Sequence, residues 1–168
     1  MKLILIKMLF LGHIGISVFL GSLLYLSPFI VGASAILPDL IDKGLVLVGL
    51  SQYSRLFAHN LFFGPLASLV VYALTRRKDF ALAVLFGTYL HLVEDMRNLV
   101  PWLWPLVTYN FAPVTGIKIT LGLFEILTES IGLTLLIYSA IFKQHVIYLR
   151  EKIFALKDFY DKRFAKKV

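Results

Sequence analysis

The chain has 168 residues, of which 59% are hydrophobic and 16% are charged, and its net charge is +7. With a mean hydropathy of +0.83, this composition excludes an ordinary water-soluble globular protein and indicates a membrane protein. Cysteine is absent, which excludes disulfide bonds and thiolate metal sites, so any metal ligands are nitrogen or oxygen atoms. A chain of this length supports one domain.

The first apolar stretch, residues 8–38, contains no charged residue. It is longer than the roughly 20 residues that one membrane-spanning helix needs. Because Ser27-Pro28 is a pair that ends one helix and begins the next, we predict a helical hairpin here. A signal peptide is the competing interpretation of residues 1–26, but the apolar run continues without a small-residue cleavage pattern, so we treat the segment as retained.

Two further spans are predicted in the middle of the chain. Residues 56–75 form an apolar stretch that ends at Arg76-Arg77-Lys78, and residues 79–96 follow after a tight turn. Since basic residues at span ends favour the cytoplasm, this turn is expected inside the cell. His59 and His91 are then expected toward the same leaflet of the membrane. A cytoplasmic N-terminus, which Lys2 and Lys7 favour, would carry His13 toward the other half.

An interfacial loop and a last span complete the membrane region. Residues 98–117 are uncharged, but their prolines and their aromatic residues Trp102, Trp104 and Tyr109 predict a loop at the membrane surface. Residues 117–142 predict the last span. The expected fold class is therefore all-α, a polytopic transmembrane helical bundle of about four to five membrane helices, including the N-terminal hairpin.

Most of the net positive charge, +5 of +7, lies in the tail. Residues 143–168 contain eight basic and three acidic residues, and apolar residues recur there at helical spacing. This pattern predicts an amphipathic helix that lies on anionic lipid of the inner membrane, with the C-terminus in the cytoplasm. We therefore divide the chain into a transmembrane domain, residues 1–142, and a basic tail, residues 143–168. A solvated terminus is the alternative, and nucleic acid is not expected as a partner because no aromatic-stacking module accompanies the basic residues.

Ionisable residues inside apolar sequence carry the most information. A central Asp or Arg in a membrane costs about 2.5 to 3.5 kcal/mol, so such residues are paired or functional. They occur as His13, as Asp39 with Asp42, as Arg55 with His59, and as His91 with Asp95. Within each of the three pairs the spacing is three or four residues, which places both members on one face if the segment is helical.

Imidazole and carboxylate groups are the ligands that a divalent ion such as zinc accepts, and gathering them around an ion removes the cost of burying each alone. We therefore expect a shared polar site, in which Asp95 binds the ion or orients His91. Hydrogen bonding between helices is the alternative for each residue. Arg55 either holds a phosphate or carboxylate of a substrate or forms a salt bridge to Asp39 or Asp42.

Two further carboxylates, Glu125 and Glu129, lie one helical turn apart in the last predicted span. They could complete the metal site, supply a general base or form a proton relay. Pairing with Arg97 or Lys118 is the alternative. The sequence leaves these roles open.

Five short motifs occur in an order that resembles a known family. They are Gly12-His13, Leu37-Pro38-Asp39-Leu40-Ile41-Asp42-Lys43, Ser54-Arg55-Leu56-Phe57-Ala58-His59-Asn60, Tyr89-Leu90-His91-Leu92-Val93-Glu94-Asp95 and Trp104-Pro105-Leu106. Over residues 12–106 this combination resembles the YdjM-like membrane-bound metal-dependent hydrolases of bacteria and archaea. The resemblance implies that the metal and catalytic positions are His13, Asp39, His59, His91 and Asp95.

The chain departs from the common pattern of that family at two motifs. Many members read His-Arg-Gly-x-Thr-His-Ser where this chain has Ser54 at the first position, and many space the aspartates as Pro-Asp-x-Asp, more closely than Asp39 and Asp42. A subgroup with Pro-Asp-Leu-Ile-Asp-Lys and Gly-Arg-x-x-x-His is nearer to this sequence. These departures argue against a second metal ion, and with it against a dinuclear mechanism.

The leading hypothesis is a membrane-embedded hydrolase. A divalent ion, zinc by its ligand set, would activate a water molecule, with Asp42 or Glu94 as general base and Arg55 steering an anionic group. Because the site lies at membrane depth, a lipid or other amphiphile is the expected substrate. A phosphoester is favoured over a peptide because no His-Glu-x-x-His motif is present.

Two other classes of function remain open at this stage. A small ion- or proton-coupled transporter would use the intramembrane carboxylates as a polar path, although the chain has no internal repeat. A non-enzymatic membrane adaptor would use its basic tail to recruit a partner or anionic lipid, with the polar residues cross-bridging helices.

Overall fold

The computed structural model describes residues 4–6, 10–97, 99–111, 113, 117–119 and 122–142. These residues form five α-helices, α1 (Phe10–Leu23), α2 (Pro28–Leu47), α3 (Phe63–Thr75), α4 (Lys78–Glu94) and α5 (Leu123–Phe142). A short 3-10 helix, Asp95–Arg97, continues α4. Two three-residue strands, β1 (Ile4–Ile6) and β2 (Ile117–Ile119), pair in parallel with Ile4 opposite Ile117. The described part of the chain is therefore helical, with this small ladder as an unpredicted addition.

The chain divides into two compact units after Leu136. The first unit contains both strands, helices α1 to α4 and most of α5. The described residues of the second unit are the end of α5, where the rings of Tyr138 and Phe142 stack at 6.0 Å. The predicted interfacial helix, residues 143–168, lies outside the described residues.

The predicted N-terminal hairpin is present as α1 and α2. The break falls where the sequence places it, because α2 begins at Pro28 and proline is favourable in the first turn of a helix. Helix α2 then continues through Pro38 as far as Leu47. Asp39 and Asp42 therefore lie one turn apart on a regular helix.

The predicted span 56–75 is wrong at its N-terminal end, because α3 begins only at Phe63. Residues 51–62 form an irregular loop, which we call the His59 loop. Asn60 replaces helical hydrogen bonds there, since its Nδ2 donates to the carbonyls of Leu56 and Phe57 at 3.1 and 2.9 Å and its Oδ1 accepts from the amides of Phe62 and Phe63. Arg55 and His59 consequently do not share a helix face.

Helix α4 is the centre of the bundle and packs against α1, α2 and α3. Its closest approach is to α2, where a Cβ atom added at Gly87 would lie 2.6 Å from the carbonyl oxygen of Val31. Ser34 on α2 donates to the carbonyl of Ala83 on α4 at 3.3 Å. This tight crossing fixes the relative positions of the polar residues on the two helices.

Among the described residues, α5 is the one helix that is long and apolar enough to cross a membrane, while α1 and α3 are apolar but shorter. The predicted span 117–142 is wrong at its start, because residues 117–119 form β2 and α5 begins at Leu123. Residues 99–111 contain no helix, in agreement with the predicted loop. Large exposed apolar side chains on α3 and α5 include Leu66, Leu69, Leu74, Leu123, Ile131 and Ile137.

Candidate metal centre

Four ligand-type side chains from three parts of the fold meet in the interior. They are Asp39 on α2, His59 in the His59 loop, His91 on α4 and Asp95 directly after α4, and one ligand atom of each lies within 4.8 Å of the other three. All four residues are at most 2% exposed. The sequence predicted each of them as a metal position, and the fold brings these four together.

The distances within this group resemble those of a tetrahedral metal site. The Nε2 atoms of His59 and His91 are 3.1 Å apart. Asp39 Oδ1 lies 3.3 Å and 3.9 Å from these two nitrogens, and Asp95 Oδ2 lies 3.6 Å and 3.9 Å from them. Ligands at about 2.0 to 2.2 Å from a tetrahedral zinc ion are about 3.3 to 3.6 Å from each other. Small shifts, which separate the two histidine nitrogens slightly and bring the aspartate oxygens closer, would therefore accommodate such an ion.

The hydrogen bonding of the group is incomplete in a way that a cation would correct. Asp39 Oδ1 is buried and makes no hydrogen bond. The facing Nε2 atoms of His59 and His91 share at most one proton between neutral rings. Burying an acceptor without a partner costs about 1 to 3 kcal/mol, and more for a charged group. The donor set present fits a divalent metal ion.

Asp42 orients His59 rather than joining the group of four. Its Oδ2 accepts from His59 Nδ1 at 2.8 Å, which turns Nε2 toward His91. The same carboxylate accepts the backbone amides of Leu56 at 2.7 Å and Ala58 at 3.0 Å. The arrangement is the carboxylate–histidine pairing that fixes ring orientation and tautomer at metal sites.

Two cations pair with the two aspartates of the group. Lys43 Nζ donates to Asp39 Oδ2, and Arg55 Nη2 lies 2.9 Å from Asp95 Oδ2. The sequence alternative of an Arg55 salt bridge to Asp39 or Asp42 is wrong in its partner, because the irregular His59 loop carries Arg55 to Asp95. Lys43 was not predicted as a site residue, although its position four residues after Asp39 on a helix allows the pairing.

His13 lies beside the group and is not one of its four members. Its Nδ1 bonds to Glu94 Oε2, its ring centroid is 4.3 Å from that of His91, and its Nε2 is buried without a hydrogen bond. Ser17 donates to the other oxygen of Glu94 at 3.3 Å. His13 and Glu94, predicted as a ligand and a base, thus form a hydrogen-bonded pair next to the centre, and Ser17 is a partner that the sequence did not reveal.

The motifs and the buried group of four lie within the part of the chain that matches a known protein family. Residues 8–156 match the family model of the YdjM inner membrane protein. The chain belongs to the YdjM inner membrane protein family. No curated protein and no solved structure matches it.

The two glutamates of α5 lie outside the centre of this YdjM family protein. Glu129 accepts the backbone amides of Leu11 and Gly12, each at 3.0 Å, and so caps the N-terminus of α1 just before His13. Glu125 accepts the amide of Gly122 at 3.0 Å, at the start of its own helix. These hydrogen bonds give both carboxylates a structural role that the sequence left open.

Proposed function

We propose that this protein is a membrane-embedded, metal-dependent hydrolase that acts on a lipid or another amphiphile. A divalent ion would be held by Asp39, His59, His91 and Asp95. The observation that carries the proposal is the convergence of these four buried ligand atoms within 4.8 Å of one another. The hydrolase class is what the resemblance implies, and the geometry supports the metal part of it.

Charge supports a divalent ion. In the protonation state that binds a metal ion, with carboxyl groups ionised and histidines neutral, the cluster would have four negative charges and two positive ones, a net charge of −2. Its members are Asp39, Asp42, Glu94, Asp95, Lys43 and Arg55. Buried negative charge is costly in a medium of low dielectric constant, and a divalent cation would neutralise it. Two imidazoles and two carboxylates at these spacings suit zinc.

When bound, such an ion supplies a water molecule of lowered pKa and polarises an oxygen of the scissile group. The residues of the chain would orient the ligands and accept a proton. Asp42 already accepts three hydrogen bonds, from His59 and two backbone amides. We therefore assign proton acceptance to the pair formed by Glu94 and His13. The Nε2 atom of His13 is buried and makes no hydrogen bond in the described structure.

The contacts of the His59 loop with a tryptophan-rich segment support an amphiphilic substrate. Its Leu61 amide donates to the carbonyl of Trp102 at 3.0 Å, and the rings of Phe57 and Trp104 meet edge to face at 5.2 Å. Tryptophan and other aromatic residues are enriched at membrane–water interfaces. We infer that the loop borders the interface of the inner membrane, with α1 to α5 forming a polytopic bundle and the C-terminal tail on anionic lipid of the cytoplasmic face.

Metal content tests the proposal. Protein purified in detergent without chelator and supplied with zinc is expected to hold about one ion per chain. Hydrolysis needs a coordination position for water, so three of the four residues would bind the ion tetrahedrally, or all four would bind it with water as a fifth ligand. His91→Ala and Asp39→Asn are expected to lose the ion and the turnover of phospholipid in vesicles. Asp79→Asn is the matched control, because Asp79 is an exposed carboxylate paired with Arg77 at the start of α4.

Elemental analysis measures the metal content, and release of phosphate or fatty acid from mixed lipid measures the activity. Wild-type protein without metal after zinc exposure, together with equal lipid turnover in wild type and His91→Ala, would overturn the proposal. A transporter receives less support, because Glu125 and Glu129 accept backbone amides. Ion flux into vesicles that depends on Glu129 would favour it instead.

A further inference from the structure

Arg55 and Lys43 meet the metal-ligand group from different sides. Lys43 donates to Asp39 Oδ2, whereas the Asp39 atom that faces the two histidines is Oδ1. Arg55 Nη2 instead contacts Asp95 Oδ2, the same atom that faces His59 and His91. The guanidinium group therefore borders the centre itself, while the ammonium group supports a ligand from behind.

Exposure separates the same two cations. The side chain of Arg55 is 15% exposed, against 8% for Lys43 and at most 2% for the two aspartates. Arg55 also belongs to the His59 loop, whose residues 51–57 are partly exposed while residues 58–60 are buried. Arg55 thus lies between the buried centre and the protein surface.

The guanidinium group has donors to spare. It carries five N–H groups in a fixed planar fork, and within the described part of the chain its one recorded polar partner is Asp95, through Nη2. A planar fork of this kind binds two oxygens of a phosphate or carboxylate at once. Once a cation shares the negative charge of Asp95, the attraction that holds Arg55 to that carboxylate weakens.

We propose that Arg55 binds the phosphoryl oxygens of the substrate beside the metal ion, so that the substrate class is a phosphoester. The inference rests on the proposed function. The phosphoryl group of a phosphomonoester has three non-bridging oxygens, so it can present one to the ion and two to the edge of the guanidinium group. A carboxylate has two oxygens and cannot satisfy both partners in this way, so this arrangement favours a phosphomonoester.

Binding of inorganic phosphate tests the inference without turnover. Zinc-loaded protein in detergent, freed of excess metal, is titrated calorimetrically with phosphate and, in parallel, with acetate. We expect phosphate to bind more tightly than acetate. Arg55→Gln is expected to weaken phosphate binding about 10- to 100-fold, the usual effect of losing hydrogen bonds to a charged group, and Arg55→Lys is expected to lose part of the affinity.

Zinc content and thermal unfolding are measured on every variant. Arg77→Gln is the matched control, since Arg77 lies on the exposed turn between α3 and α4 and is also paired with an aspartate. This variant is expected to bind phosphate as the wild type does. Unchanged phosphate affinity in zinc-loaded Arg55→Gln, or acetate binding as tight as phosphate binding, would overturn the inference and leave the metal centre standing. Wild-type protein that holds no zinc would overturn the proposed function and this inference together.

Discussion

At the scale of single residues, the site repeats one arrangement twice. Nδ1 of His59 bonds to Asp42, and its Nε2 faces the group of four. Nδ1 of His13 bonds to Glu94, and its Nε2 is buried without a hydrogen bond. A carboxylate on Nδ1 fixes the tautomer and makes the opposite nitrogen the better ligand or base. The two histidines are therefore prepared in the same way for different tasks.

Asp42→Asn tests this preparation. We expect zinc affinity to fall about 10- to 100-fold, because the amide lacks the charge that supports His59 and cannot accept all three hydrogen bonds that the carboxylate accepts. Competition with a fluorescent zinc chelator measures the affinity. Asp79→Asn is again the control, because its exposed carboxylate lies at the start of α4. Zinc affinity equal to wild type in Asp42→Asn would contradict the orienting role.

At the scale of elements, the site depends on how closely α2 and α4 approach, since these helices carry Asp39 and His91. The chain has glycine at the crossing, where a Cβ atom at position 87 would lie 2.6 Å from the Val31 carbonyl. Backbone atoms cannot yield as the tip of a side chain can. The crossing of α2 and α4 therefore requires Gly87 for packing, not for backbone freedom.

Gly87→Ala is expected to lower the free energy of unfolding by about 1 to 3 kcal/mol, the usual cost of overpacking, and to weaken zinc binding with it. Gly44→Ala on α2 is a matched control, because a Cβ there meets nothing within 4 Å. Alanine in a helix interior is more favourable than glycine by about 1 kcal/mol, so this control is expected to be neutral or stabilising. Thermal unfolding in one detergent compares the two, and equal midpoints would contradict the tight crossing.

The sequence predicted the elements better than their ends. Ser27-Pro28 and the apolar runs are local signals, and they located the hairpin, α4 and the non-helical segment after it. The start of α3 depends on Asp42, which binds the amides of Leu56 and Ala58 from 14 and 16 residues away. Such a non-local hydrogen bond leaves no periodic pattern, so apolar composition alone extended the helix back to residue 56.

At the scale of the whole molecule, the ionisable residues of α2, the His59 loop and the end of α4 are gathered in one place, whereas Glu125 and Glu129 lie outside it. The high cost of burying a charge in a membrane let the sequence predict a shared polar site, and the resemblance to the YdjM-like hydrolases implied its metal positions. The sequence could not distinguish His13 from the four residues of the group, because His13 is a histidine like two of them. Only the packing of α1 against α4 places its ring beside that of His91. The chain belongs to an inner membrane protein family, and both α3 and α5 carry large exposed apolar side chains.

The depth of the site in the bilayer can be read from intrinsic fluorescence. The chain has two tryptophans, Trp102 and Trp104, and both belong to the segment that contacts the His59 loop. In vesicles, lipids brominated near the headgroup are expected to quench this fluorescence more than lipids brominated near the acyl-chain end, because tryptophan prefers the interface. Trp104→Phe isolates Trp102 as a control. Strong quenching by aqueous acrylamide with none by either lipid would place the segment in water and remove the reason for an amphiphilic substrate.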